Sequence, residues 1–194
     1  AQAGWPVALA CPRPPEQLSA EPARTAALEA MTAAEAHGWP LAVMVAPTPE
    51  ELSRELDRTS GVVDAILGTG FSGMQVREPY ATWIQLANRR RFHGKLARKR
   101  IGGARHAQAG KHIPAHAKAA GKAKDAPFTI AADVASGVSA QTGDAALPRI
   151  YADETVTMIV YKPGLLARKA APMIGAVRLA SLVDDVERYL DAMR

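Results

Sequence analysis

Three groups of residues in this chain have types and spacing that could do chemistry. Asp64 is followed by Gly68, Thr69, Gly70, Phe71, Ser72, Gly73 and Met74, a run that fits Gly-x-Gly-x-x-Gly. Such a run lets backbone approach a phosphate or sugar, but it also serves as a plain strand-to-helix turn. The acid that would hold a ribose hydroxyl about 20 residues later is missing, since positions 88–93 read Asn-Arg-Arg-Arg-Phe-His. An ordinary dinucleotide fingerprint is therefore disfavoured. The second group is Asp133 and Ser136, within Asp-Val-Ala-Ser-Gly. A carboxylate just past a strand could act as general acid or base, or could cap the turn that follows it. The third is Lys162-Pro163-Gly164, a stiff turn whose lysine could face an anion or stay in solvent.

The elements that must position these groups follow from hydrophobic periodicity. Residues 5–10, 41–45, 62–67, 128–132, 155–160 and 176–180 read as strands. Continuous apolar stretches such as 41–45 suggest parallel strands covered on both faces. Helices are expected over 21–37, over 49–56 behind a Thr48-Pro49-Glu50-Glu51 capping box, over 77–88, and over 183–193. Alternating strands and helices favour an open, mostly parallel α/β sheet. In such a sheet ligands bind outside the carboxyl ends of the strands, where all three groups fall.

Composition narrows the class. The chain has 194 residues, 48% hydrophobic, with 40 alanines and only 5% aromatics, which suits one domain with an Ala, Val, Ile and Leu core. The longest dense apolar run, residues 41–46, is far short of the ~20 needed to span a membrane. One cysteine, Cys11, excludes an internal disulfide framework and a multi-cysteine zinc site. With no charged-then-apolar leader visible, a cytoplasmic setting is expected.

The net charge of +5 is unevenly spread. Residues 89–126 hold six Arg and six Lys against Asp125, a net +11, which leaves −6 for the rest. This segment has few large apolar residues and reads as a basic, loosely ordered insert, helical in part around 92–100. It could attract phosphate backbones, but its lone aromatic, Phe92, argues against base stacking, and a solvated loop is the plainer reading.

Taken together, the motifs are more specific than any one of them. The chain carries Val-Asp-Ala-Ile-Leu-Gly-Thr-Gly-Phe-Ser-Gly, Ala-Asp-Val-Ala-Ser-Gly-Val-Ser-Ala-Gln-Thr-Gly, Ala-Asp-Glu-Thr-Val-Thr and Lys-Pro-Gly-Leu-Leu in that order. This closely resembles the NAD(P)H-hydrate epimerase family, the YjeF N-terminal domain, over about residues 1–180. The resemblance implies a Rossmann-like three-layer sandwich, a homodimer, and interconversion of the R and S hydrates of NADH and NADPH. It implies potassium ligands at Asp64 and Ser136, and hydrate contacts at Gly68 to Met74 and Asp133. Asp133 is then the candidate acid/base.

The departures also matter. The family's Asn-Asn-Gly-Gly-Asp-Gly loop has no counterpart here, Ala135 replaces a usual proline, and the basic insert is atypical. The expectation is a single domain lacking its first strand unit, truncated at its N-terminus and weakly active by itself. The competing expectation is a non-catalytic Rossmann-like binding or scaffold module, associating with nucleic acid through residues 89–126.

Overall fold

The computed structural model of the protein describes residues 4–101 and 126–181. The expected helix over 183–193 and residues 102–125 of the basic segment lie outside the described residues. The chain divides into two compact units, residues 1–55 and 56–194.

In the first unit, β1 (Val7–Cys11) and β2 (Leu41–Val45) pair in parallel, with Val7 opposite Leu41 and Cys11 opposite Val45. A parallel pair needs a long crossover, supplied here by a 3-10 turn (Pro15–Gln17) and the Ala-rich α1 (Glu21–Ala36). Coverage on both faces was the expectation for these strands, but Val7, Leu9 and Val45 are exposed. Next comes α2 (Pro49–Arg58), which opens with the expected capping box. There Glu51 N donates to Thr48 Oγ1 at 3.2 Å and Thr48 N donates to Glu51 Oε2 at 2.9 Å.

The second unit holds a four-stranded sheet in the order β3 (Gly61–Asp64), β4 (Phe128–Ala132), β5 (Glu154–Met158) and β6 (Ala176–Ala180). Every pairing is parallel, with Asp64 opposite Ala131 and Ala132 opposite Val156. The carboxyl ends of all four strands therefore share one edge. Short helices α4 (Pro163–Leu166) and α5 (Ala171–Ile174) join β5 to β6. Ile84, Ala131, Val134, Ile150, Leu165 and Ile174 form the centre of the core. This is the expected Rossmann-like α/β class. No helix among the described residues is long and apolar enough to cross a membrane.

The connection from β3 to β4 differs from expectation. Helix α3 (Tyr80–Ile101) starts later and runs further than residues 77–88. The basic segment thus begins as the second half of a helix, in line with the helix expected around 92–100, but its first arginines are not loose. Arg91 is 5% exposed and its guanidinium forms a two-pronged pair with Asp153, Nη2 to Oδ1 at 2.6 Å and Nη1 to Oδ2. Three residues earlier, Asn88 Nδ2 donates to Arg149 O at 2.6 Å, and Tyr151 N donates to Asn88 Oδ1 at 3.2 Å. Phe92 meets the Tyr151 ring edge-on at 5.4 Å. Polar side chains hold this stretch against the sheet, which is why a hydrophobic pattern stops short of it.

Removing one member of a buried pair leaves the other charge uncompensated, at a cost of about 3–5 kcal/mol. Arg91→Ala should lower unfolding free energy in urea by that order. Arg178→Ala, which breaks a pair with Glu154 whose arginine is 71% exposed, should cost less than about 1 kcal/mol. Equal effects would mean that Arg91 does not anchor α3.

Candidate functional site

Asp64 is the last residue of β3 and is 2% exposed. Its carboxylate accepts hydrogen bonds from Ser136 N (2.7 Å), Ser136 Oγ (2.6 Å) and Ile66 N (3.3 Å). All three donors are neutral. Burial is the largest influence on this group and raises its pKa, with the Ser136 and Ile66 bonds offsetting only part of the effect. For Asp64 the sign is unfavourable at neutral pH. A carboxyl raised on folding lowers stability as pH climbs from its ordinary value through its folded one.

Ser136 follows β4 and is 1% exposed. Its hydroxyl also accepts from Leu67 N at 2.9 Å, so one side chain ties the end of β3, the start of the glycine run and the turn after β4. Gly137 makes that turn possible: its φ is +87°, and a Cβ there would lie 2.9 Å from Pro148 O.

The glycine run is not a tight strand-to-helix turn. Between Asp64 and Tyr80 lie residues 65–79, so the run does not open α3 and cannot use that helix's N-terminus as a Rossmann fingerprint does. Neither Gly68 nor Gly70 has a left-handed backbone, and a Cβ on either would meet nothing within 4 Å. The fold does not require glycine at these two positions. Thr69, Ser72 and Met74 are exposed, and Phe71 packs partly against the core.

Asp133 follows β4 with φ +69°, a backbone that aspartate tolerates better than most residues. It does not cap the turn after it. Its Oδ1 reaches across to β5, accepting from Met158 N (2.9 Å), Thr157 Oγ1 (3.2 Å) and Lys162 Nζ. Burial pushes its carboxyl up, but the Lys162 ammonium, Met158 N–H and Thr157 hydroxyl outweigh this and hold it below the usual range. The sign is opposite to that of Asp64. The Asp133 pair adds stability above about pH 4, lost as acid protonates the folded carboxyl.

Lys162 is therefore not merely solvated; its anion is Asp133, and it also donates to Met158 O at 2.7 Å. Gly164 fixes it from the far side. Gly164 N donates to Ala140 O at 2.7 Å, and a Cβ there would come within 2.1 Å of Ser139 O. Asp64, Ser136, the glycine run, Asp133 and Lys162 thus gather along the carboxyl edge of β3, β4 and β5. Thr157, 0% exposed, was missed by sequence reasoning. Its signal was available, because a threonine facing a core one residue before a strand end needs a polar partner.

The oxygens that Asp64 and Ser136 bring together, a carboxylate and a hydroxyl, are hard ligands. A buried carboxylate bonded only to neutral groups, beside a hydroxyl, suits an alkali cation. Among the described residues no cluster of three or more His, Cys, Asp or Glu could hold a metal ion.

Residues 1–164 match a protein-family model described as YjeF-related protein N-terminus. The chain is also similar to three proteins named bifunctional NAD(P)H-hydrate repair enzyme. It is 31% identical to the one from Leishmania major over 121 residues, which are 62% of this chain and 15% of that protein. It is 43% identical to the Leishmania braziliensis protein and 42% identical to that of Leishmania infantum, each over 53 residues. Those two matches cover 27% of this chain and 9% or 10% of the relatives. The chain thus spans a small part of each relative's length.

Ser136→Ala removes an acceptor from Leu67 N–H and a donor from a buried carboxylate. Leaving such groups unpaired costs about 1–3 kcal/mol, so the urea midpoint should fall accordingly and the Leu67 amide should exchange faster. Unchanged exchange at Leu67 would mean that Ser136 does not pin the glycine run.

Proposed function

Because this chain belongs to the family described as YjeF-related protein N-terminus, we propose that it epimerises the R and S hydrates of NADH and NADPH. The observation that carries this reading is the Asp133–Lys162 pair. A carboxylate and an ammonium stand together at the strand edge, beside a glycine run open to a ligand. Epimerisation requires the hydroxyl on the hydrated ring carbon to leave and return on the other face, or the ring to open and close. Either route moves protons on and off the ring substituents.

Asp133, kept ionised at neutral pH, is suited to accepting a proton. All its recorded bonds go to Oδ1, which leaves Oδ2 for a ligand. The neighbouring Lys162 ammonium is suited to donating one. Gly68 and Gly70 let the ligand lie against bare backbone. Asp64 and Ser136 would hold a potassium ion, which supplies a fixed positive charge near a negatively charged ligand. Their own bonds orient the glycine run towards the same edge.

The test is the rate of R-to-S hydrate conversion above its spontaneous background. Asp133→Asn keeps the shape but cannot take a proton, and loss of a general base costs about 10²–10⁴-fold in turnover. Hydrate affinity should change little. Asp64→Asn should instead abolish the dependence of rate on potassium at constant ionic strength. Parental turnover in Asp133→Asn would remove Asp133 from the mechanism.

A further inference from the structure

Two neighbouring strands of the sheet end in the same unusual way. After β4, Val134 N donates to Ala132 O at 2.9 Å around Asp133, whose φ is +69°. After β5, Val160 N donates to Met158 O at 2.7 Å around Ile159, whose φ is +66°. Each is a three-residue γ-turn with a left-handed centre, the strained form of that turn. Aspartate tolerates this backbone. A β-branched residue resists it, because its Cβ crowds the following carbonyl. Packing does not explain the isoleucine either, since Ile159 is 53% exposed. Asparagine or glycine would make the same turn at less strain.

What this turn holds is the candidate base. Met158, immediately before Ile159, donates its N–H to Asp133 Oδ1, and its carbonyl accepts both Val160 N and Lys162 Nζ. Ile159 N donates to Ala180 O of β6 at 3.0 Å. Because the chain reverses at residue 159, Lys162 can fold back onto residues 133 and 158. The strained isoleucine and the closed Asp133–Lys162 contact therefore belong to one arrangement, and the strain opposes that arrangement. Resting on the functional reading above, we propose that Ile159 is a positioning residue whose strained turn limits how tightly the Lys162 ammonium closes on Asp133, leaving the carboxylate available to a ligand.

Lys162 is the one charged group recorded on Asp133 among the described residues. The other partners, Thr157 and Met158 N–H on β5, are neutral. Relieving the strain must favour the closed contact, lower the pH at which Asp133 titrates, and weaken it as a base.

The experiment compares Ile159→Asn, which eases the left-handed turn, with Ile159→Val, which keeps the β-branched strain. The side-chain carboxyl of Asp133 is titrated by carbon NMR, thermal midpoints are recorded, and epimerisation is followed against pH. Ile159→Asn should melt at or above the parent chain and titrate at lower pH. Its kcat should fall about 2–5-fold with KM nearly unchanged, and the acid limb of its rate profile should shift the same way. Ile159→Val should match the parent throughout. A higher melting point in Ile159→Asn with Asp133 titrating as before would make the turn purely structural and overturn the proposal. A lower melting point would overturn it too, because the turn would not then be strained. Equal displacement in both variants would assign the effect to side-chain bulk instead. The NMR titration needs no turnover. A parent chain without epimerisation would overturn the functional reading and leave the positioning role to be decided by the titration.

Discussion

A buried carboxylate bonded only to neutral groups is costly to keep charged, and the candidate site is organised around one. Asp64 ends β3 almost wholly out of solvent, and its recorded partners are amides and one hydroxyl. That constraint dictates the neighbours. Ser136 must be close enough to donate twice, so the chain after β4 has to turn at once, and Gly137 supplies a backbone that a larger residue could not adopt there. The hydroxyl that serves Asp64 also takes Leu67 N–H, which sets where the glycine run begins. Turn, loop and strand end are thereby fixed by a single polar cluster, which is the cluster an alkali cation would relieve.

Asp133, one strand over, shows the opposite solution. It is partly exposed, accepts an ammonium and two further donors, and is held ionised. The two aspartates lie at the same edge of adjacent parallel strands, yet their environments push them in opposite directions. Such divergence is how one site can separate a group that binds charge from a group that moves protons. Gly164 packs directly on the 139–143 loop, so the lysine that distinguishes the two aspartates is held by backbone packing as well as by charge.

Much of this was legible in the sequence. The strands 41–45, 128–132 and 176–180 and the capping box at Thr48 follow from local pattern and have the expected bounds. The grouping of Asp64, Ser136, Asp133 and Lys162 follows because all of them stand at strand ends. Their pairings did not follow. Lys162 meets Asp133 across 29 residues, through a register that sets Ala132 opposite Val156, and nothing local encodes that register. Arg91 looked like the start of a charged loop because a hydrophobic pattern scores an arginine as exposed, whereas Asp153, 62 residues away, makes its burial tolerable. The left-handed Ile159 runs against local preference and so could only be found in the structure. A continuous apolar run marks capacity for burial and not burial itself, so β1 and β2 leave Val7, Leu9 and Val45 exposed.

On the proposed reading, the carboxyl edge of β3, β4 and β5 is a ligand site and the glycine run is bare for the ligand's sake. Gly70→Ala tests it most directly, because a Cβ there meets nothing in the fold and the backbone is not left-handed. The expected result is an unfolding free energy in urea within about 0.5 kcal/mol of the parent, together with clearly weaker binding of the NADPH hydrate by calorimetry. Unaltered binding in a stable Gly70→Ala chain would contradict it.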